Sequence, residues 1–363
     1  MISSFSTMGF INKPKTITNA PLSVELPPTK MPVVIIGSGS SGTNRYGYST
    51  NLTTWSWGNL SFEPSSLCCG NVNSAPLWVT IGKSGGTFYS STSTNGTTWT
   101  TSSSSINSIF KGWINGLNFG YDMCSNGIFL ATGYGGSSGS PSVAISSNGV
   151  NWVVGGYPFT TTRFGNNCYY GNGYWVVVGN AGDGTKCVMY STNISIAGNA
   201  NITWSITGSI FRDPAYGVVY TGNKWLIGSL EGNISVSSTN DPTSTYAIRS
   251  SNATTYPGAI MGTQGSAVVG GAGNNPGNLY YYNPVTTTTP TSAVSATNSP
   301  TRTCQIEYVA STTMWIAVME GTASNNNSIA YSTDAERQTN NTWTNISTVN
   351  TNMVKCLGVA AAR

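Results

Sequence analysis

A seven-fold repeat of one strand pattern is the feature that most constrains how this chain can fold. Each unit contains four or five consecutive residues, mostly apolar and most often ending in glycine, as at residues 33–37. The equivalent segments are residues 78–82, 129–133, 175–179, 225–228, 267–270 and 315–318, so that successive units begin 42 to 51 residues apart. A period of about 40 to 50 residues with several short strands in each unit is typical of a β-propeller.

Each unit carries enough strand-like segments for a blade of four strands. In the second unit, residues 78–82 and 87–91 are predicted strands, the Asn95-Gly96 pair is a predicted tight turn, and residues 97–100 are the predicted outer strand. A further strand precedes the apolar segment, for example at residues 168–174 and 218–224. The sequence therefore predicts an all-β, seven-bladed β-propeller of four-stranded blades.

The two ends of the repeat are complementary. The first unit, from Met31, begins at its second strand, whereas residues 353–360 form a strand left over after the last unit. Pairing the N- and C-terminal strands in one blade would remove two unpaired sheet edges. Residues 31–363 are thus the predicted propeller, and residues 1–30, which contain four prolines and no clear period, are a predicted extended N-terminal arm.

Composition excludes several classes of protein. Charged residues make up 7% of the chain, His is absent, and the net charge of +4 is not gathered into a Lys/Arg cluster, so no nucleic-acid partner is predicted. A hydrophobic content of 39% supports a packed core rather than disorder. The N-terminus lacks the pattern of a classical signal peptide, and no apolar run is long enough to predict membrane insertion.

The seven cysteines indicate neither a disulfide framework nor a metal site, because their number is odd and no CxxC or His-containing pattern occurs. Cys124, Cys168, Cys304 and Cys356 lie a few residues before an apolar strand or within it. We interpret them as buried thiols that act as small hydrophobic groups. The adjacent pair Cys68-Cys69 receives no functional interpretation, and no cofactor is predicted.

A second pattern, Ser-x-Asn-x-x-x-Trp, recurs at residues 49–55, 93–99 and 146–152. It resembles the aspartate-box (BNR-like) repeat of sialidase-like propellers, in a short form with Asn in place of Asp. Looser copies with longer loops lie at residues 191–204 and 332–343, and Tyr246 stands in for Trp in the fifth unit. The Asn side chain is expected to accept hydrogen bonds from backbone N–H groups of its own turn, and the Trp ring to pack against the blade.

The resemblance to sialidases also implies an arginine triad, a Tyr/Glu pair and a further acidic residue. Three arginines lie just before the first strands of their units: Arg163, Arg212 and Arg302. The candidate acids are the five aspartates and four of the six glutamates, namely Glu63, Glu231, Glu307 and Glu320. None of them falls in a recognisable catalytic pattern. The sequence therefore predicts a protein that is not an enzyme, with no catalytic, cofactor-binding or metal-binding residue assigned.

The leading functional prediction is a non-enzymatic structural or adhesive propeller on a particle surface, namely a virion protein of the capsid-associated or fibre/tail type. It would dock through residues 1–30 onto other structural proteins such as a capsid protein. The polar, weakly charged surface and the arm motivate this interpretation. Two alternatives stay open: a lectin-like propeller that binds glycans, with Tyr169, Tyr170 and residues 280–282 stacking on sugar rings, and a sialidase-like glycosidase.

Overall fold

The computed structural model describes residues 31–362, which belong to one compact unit, Met31–Arg363. Short segments within this range are outside the description: residues 40–41, 104, 137–139, 160–163, 181–187, 197–201, 208–213, 230–232, 251–254, 264–265, 274–277, 283–290, 296–301, 321–327, 334–342, 347–352 and 354. The predicted arm, residues 1–30, and residue 363 also lie outside the described residues.

The described chain is all-β apart from one short 3-10 turn at Ser105–Ser108. In chain order its strands are β1 (Val33–Ser38), β2 (Asn44–Ser49), β3 (Ser56–Asn59), β4 (Glu63–Val72), β5 (Ala75–Ser84), β6 (Thr87–Ser93), β7 (Thr100–Ser103), β8 (Ile114–Tyr121), β9 (Gly127–Gly133), β10 (Val143–Ser146), β11 (Val153–Gly156), β12 (Phe164–Gly171), β13 (Tyr174–Asn180), β14 (Val188–Ser191), β15 (Ser205–Ile206), β16 (Ala215–Tyr220), β17 (Trp225–Ser229), β18 (Asn233–Ser237), β19 (Tyr246–Ser250), β20 (Thr255–Thr263), β21 (Ser266–Gly273), β22 (Asn278–Tyr282), β23 (Thr291–Ser295), β24 (Arg302–Val309), β25 (Met314–Glu320), β26 (Ile329–Ser332), β27 (Thr344–Asn345) and β28 (Lys355–Ala361).

These strands form antiparallel four-stranded sheets. The groups β4–β7, β8–β11, β12–β15 and β16–β19 are separate sheets in which neighbours along the chain are neighbours in space. The groups β20–β23 and β24–β27 have the same internal order but are joined by a single bridge, Ala272 to Arg302. A second single bridge, Glu320 to Lys355, joins β25 to β28. The architecture is therefore that of a propeller-like stack of small sheets.

The predicted apolar strands are confirmed as the second strands of these sheets. Residues 176–178 of β13 and 33–36 of β1 are buried without alternation. A strand of β-branched residues reads as a continuous apolar run when both faces of its sheet are covered. A large buried Trp stands at or near the start of several of these strands: Trp78, Trp175, Trp225 and Trp315.

The two chain ends pair as predicted. Strand β28 lies antiparallel to β1, with Val359 opposite Ile35 and Ala361 opposite Val33. The backbone approach is close, since a Cβ atom on Gly37 would lie 1.8 Å from the carbonyl oxygen of Lys355. The group β28, β1, β2 and β3 is thus assembled from both ends of the described chain.

The first strands of the sheets form a closed cycle. Strand β4 packs beside β8, β8 beside β12, β12 beside β16, β16 beside β20, β20 beside β24, β24 beside β28, and β28 beside β4. Apolar clusters fill the space between neighbouring sheets; in one of them Leu52 and Val359 lie with Val309 and Ile316 of β24 and β25. The sheet built from both chain ends therefore packs against the sheet that precedes it in the cycle.

The Ser-x-Asn-x-x-x-Trp turns have the predicted hydrogen bonds. Asn148 Oδ1 accepts the backbone N–H groups of Val150 and Asn151 at 3.0 and 2.9 Å. The Gly149 N–H donates to Ser146 Oγ at 2.9 Å. Trp152 is 4% exposed, and its indole N–H donates to the Gly149 carbonyl at 3.1 Å. Residues 49–55 repeat this arrangement, and residues 93–99 share its Ser and Asn contacts.

One detail of the prediction was wrong. Asn95 and Gly96 do not form a two-residue hairpin turn that leads into a strand at residues 97–100. Because the Asn95 carboxamide holds the N–H groups of Thr97 and Thr98, those residues stay in the turn, and the outer strand begins at Thr100. Only Gly96 of the pair has a positive φ, +72°.

Candidate functional site

A cavity of about 90 Å³ lies at the centre of the cycle of first strands. Residues of β4, β8, β12, β16, β20, β24 and β28 all contribute to its wall, so it lies on the axis around which the sheets are arranged. Hydroxyl, amide and thiol side chains alternate there with aliphatic ones. A concave site with a few convergent polar groups is the usual form of a small-molecule site, and we refer to it as the axial cavity.

Every first strand breaks its pairing register within its first few residues. In β4 the ladder passes from Pro64 directly to Ser66, and in β8 from Ile114 to Gly116. The residues skipped in this way, which we call the bulge collar, are Ser65, Asn115, Asn166, Tyr216, Cys304 and Leu357; β20 has the same irregularity between Tyr256 and Ala259. A β-bulge redirects a side chain out of the regular alternation. Four collar residues line the axial cavity: Ser65, Asn115, Cys304 and Leu357.

Carboxamide side chains connect neighbouring first strands. Asn115 Nδ2 on β8 donates to Asn166 Oδ1 on β12 at 3.3 Å, and Asn166 Nδ2 donates to the Ala215 carbonyl on β16 at 2.9 Å. On the other side of the cycle, Gln305 Oε1 accepts the backbone N–H of Val359 at 3.1 Å. These bonds hold polar groups of the collar in fixed positions around the axis.

Glu307 is the acidic residue of the cavity wall. It lies on β24 opposite Ile316 and is 5% exposed. Among the described residues that line the cavity, no other carries a carboxyl group. Transfer of a carboxylate out of water is costly, and a buried carboxyl group in a cleft is therefore a candidate functional group.

The buried thiols near the axis are not suited to nucleophilic chemistry. Burial raises the pKa of the Cys168 thiol well above its ordinary value, and nearby Cys68 adds to the effect. Burial likewise raises the pKa of Cys356, with a smaller contribution from Cys304. Since the thiolate is the reactive form, these groups are neutral and inert at neutral pH.

The predicted thiol environments are confirmed in part. Cys168 and Cys356 are buried, as are Cys68 and Cys69, whereas Cys304 is half-buried; none of the described cysteines forms a disulfide. Cys124 is exposed, because it lies in the turn between β8 and β9, where its N–H donates to Asp122 Oδ1 at 2.9 Å. Within the described ranges, no three His, Cys, Asp or Glu side chains are grouped closely enough to hold a metal ion.

The structure separates the other candidate residues that the sequence offered. Glu63 is exposed at the start of β4, and Glu320 forms an ion pair of 2.5 Å with Lys355 at the junction of β25 and β28. Arg163, Arg212 and Glu231 lie outside the described residues, as does the side chain of Arg302. The side chains of the arginine triad that the resemblance to sialidases implies therefore lie outside the described residues.

The tyrosines considered for sugar stacking differ in their surroundings. Tyr169 lines the axial cavity. Tyr170 instead packs against Trp175 and Tyr121, with ring centroids 5.3 and 5.8 Å apart, which is a packing role. The side chains at 280–282 fall outside the described residues. No helix in the described part of the chain has the length and hydropathy needed to cross a membrane.

Comparison with known proteins finds similar folds but assigns the chain to no family. No protein-family model matches the sequence, and no curated protein matches it either. Among solved structures, the periplasmic gluconolactonase of Pseudomonas aeruginosa is similar with a TM-score of 0.62 at 8% identity, over 92% of this chain and 99% of that one. A putative 6-phosphogluconolactonase from Bacteroides fragilis gives 0.62 at 10% identity, over 91% and 98%. A protein from Lactobacillus plantarum gives 0.64 at 12% identity, over 91% and 98%.

These neighbours contradict the functional prediction made from composition. The polar, weakly charged surface and the N-terminal arm led to the expectation of a non-enzymatic structural or adhesive virion propeller. Two of the neighbours that share the fold over almost their whole length are named as lactonases, so the prediction that this propeller is not an enzyme is withdrawn. The docking arm invoked with it, residues 1–30, lies outside the described residues. At 8 to 12% identity the likeness itself establishes the fold.

Proposed function

We propose that this chain is a seven-bladed β-propeller hydrolase that opens a small cyclic ester, a lactone, in its axial cavity. The blade count is supported by the closed cycle of first strands, in which β28 takes its place beside β4 and β24. The turn hydrogen bonds at residues 49–55, 93–99 and 146–152 support the likeness to aspartate-box repeats in each case.

The buried carboxyl group of Glu307 is the observation that carries the proposed activity. Hydrolysis of a lactone requires a water molecule to lose a proton as its oxygen adds to the ester carbonyl carbon. A carboxylate held in a small polar cavity is suited to accept that proton and to return it to the ring oxygen as the ring opens. At 5% exposure Glu307 is shielded from bulk water, which strengthens its interactions with bound groups.

Carboxamide groups in the same wall can stabilise the negative charge that develops on the carbonyl oxygen. Asn167 lines the cavity, and its Oδ1 accepts the Cys168 N–H at 2.8 Å, so the group it presents to a ligand is its NH₂. Fixed hydrogen-bond donors of this type account for a large part of the rate enhancement in acyl transfer.

The substrate class for a first test comes from the neighbours. Two similar structures are named as a gluconolactonase and a putative 6-phosphogluconolactonase. Both names specify sugar lactones, whose hydroxyl groups can hydrogen-bond to the amide and hydroxyl side chains of the cavity wall. We therefore take glucono-δ-lactone as the test substrate.

The test is the rate of acid release from glucono-δ-lactone at constant pH, measured against spontaneous hydrolysis. Wild-type protein is expected to exceed the spontaneous rate, and Glu307→Gln to lower the enzymatic rate about 100-fold or more, because a general base contributes that much. Glu63→Gln is the matched control, since Glu63 is exposed and outside the cavity wall. Equal rates for wild type and Glu307→Gln, or no rate above the spontaneous one, would refute the proposal.

A further inference from the structure

The bulges occur at one level in all the first strands of the described structure. In β8, β12, β16 and β24 the skipped residue is the second or third of the strand. A single bulge can relieve local strain, but the same irregularity at the same level around a closed cycle builds a ring of redirected side chains. This ring lies in the wall of the axial cavity at Ser65, Asn115, Cys304 and Leu357.

We propose that the bulge collar is the specificity element of the axial cavity, and that it selects a neutral polyhydroxylated ligand over the phosphorylated form of the same ligand. This inference rests on the proposed function in one respect, namely that the axial cavity is the binding site. Beyond that function, the inference specifies the class of ligand, a neutral polyhydroxylated molecule, and the residue that recognises its hydroxyl groups, Asn115.

The carboxamides of the collar are arranged to bind hydroxyl groups. Asn115 donates one N–H to Asn166, and Asn166 in turn donates to the Ala215 carbonyl. In this pair of hydrogen bonds Asn115 is therefore only a donor. A carboxamide has two N–H donors and an oxygen with two lone pairs. Asn115 is exposed at the cavity wall, and within the described part of the chain its second N–H and its Oδ1 have no hydrogen-bond partner. A hydroxyl group of a ligand, which both donates and accepts, matches that pair.

Among the described residues that line the cavity, Glu307 is the charged one, and its carboxylate disfavours a bound anion. Glu307 lies in the same wall as Asn115 and is almost fully buried. A phosphate group brought into this cavity would approach the Glu307 carboxylate in a medium that screens poorly, and like charges then repel strongly. Replacement of Glu307 by glutamine should therefore reduce the preference for the neutral ligand.

The experiment measures binding rather than turnover, with two lactams that cannot be hydrolysed: gluconolactam and its 6-phosphate. Calorimetric titration of the full chain should give at least tenfold tighter binding of the neutral lactam. Asn115→Ala should weaken that binding tenfold or more, whereas Asn151→Ala, which removes an exposed carboxamide outside the cavity, should leave it unchanged. Glu307→Gln should bring the dissociation constants of the neutral and the phosphorylated lactam closer together.

Equal or tighter binding of the phosphorylated lactam, or unchanged affinity in a folded Asn115→Ala variant, would overturn the inference. If Asn115→Ala unfolds, Asn115→Ser keeps a polar group in place and should still weaken neutral binding at least threefold. Failure of the two proposals is distinguishable. Binding of the lactam that depends on Asn115, without hydrolysis of the lactone, would support the role of the collar and refute the hydrolase. Hydrolysis of the lactone, with lactam binding that does not depend on Asn115, would support the hydrolase and refute the role of the collar.

Discussion

Trp152 offers a sharp test of the structural role assigned to the turn motif. Its side chain is 4% exposed and belongs to an apolar cluster that joins two neighbouring sheets, with Val79 on β5 and Phe129 on β9. Truncation of a buried aromatic side chain costs about 3–5 kcal/mol. Loss of the indole hydrogen bond to Gly149 is included in that range at about 1 kcal/mol. We therefore expect Trp152→Ala to lower the free energy of unfolding by about 4 kcal/mol.

Two further variants separate the contributions. Trp152→Phe keeps most of the buried area and loses the hydrogen bond, so it should recover more than half of the loss. Trp113→Ala is the control, because Trp113 is 46% exposed; since its ring still contacts Tyr134 and Phe164, its truncation should cost about 2 kcal/mol. The measurement is urea unfolding followed by far-UV circular dichroism. A loss for Trp152→Ala no greater than that for Trp113→Ala would refute the packing argument.

Three further predictions concern backbone, pH and thiol chemistry. Gly96→Ala should destabilise the fold by about 2 kcal/mol more than Gly85→Ala in urea unfolding; both glycines have positive φ, but only at Gly96 would the new Cβ meet neighbours, Pro32 at 2.7 Å and Val34 at 2.9 Å. Burial, with a smaller effect of Asp241, raises the pKa of Tyr246 above its ordinary 10.0. The neutral phenol therefore stabilises the fold below about pH 10 and this stability is lost at higher pH, so Tyr246→Phe should reduce the fall in melting temperature above pH 10; an unchanged fall would contradict it. Cys124 is exposed, and Cys124→Ser should remove the fast phase of reaction with a thiol reagent at pH 8, whereas a fast phase that survives would show that another thiol is accessible.

The strand pattern could be predicted from sequence because each sheet is covered on both faces. Under that condition the second strand of every unit is a continuous apolar run, such as residues 33–36, and its period is visible without any alignment. Pairing of the chain ends could be predicted from the number of strands in each unit, since the first unit lacks one strand and one strand is left over after the last unit. Strand β28 does lie beside β1. The start of the outer strands was missed, because the carboxamide of residues such as Asn95 extends the turn by capturing two N–H groups.

The candidate site could not be predicted, because it depends on register and on convergence of distant segments. A bulge is a shift in the pairing register of two strands, and the residue types around Asn115 and Cys304 do not predict such a shift. Glu307 was available as a signal, since a carboxyl group stands there within a strand between Ile306 and Tyr308. The sequence could not show that this position lines an axis shared by several sheets. The prediction that the protein is not an enzyme is contradicted by the similar structures that are named as lactonases.

The most direct test of the account is a crystal structure of the full chain with gluconolactam bound. We expect the lactam to lie in the axial cavity, with its ring N–H donating to the Glu307 carboxylate and a hydroxyl group hydrogen-bonded to the Asn115 carboxamide. A lactam bound on the outer strands or between sheets, with the axial cavity holding only water, would contradict the assignment of the cavity as the site.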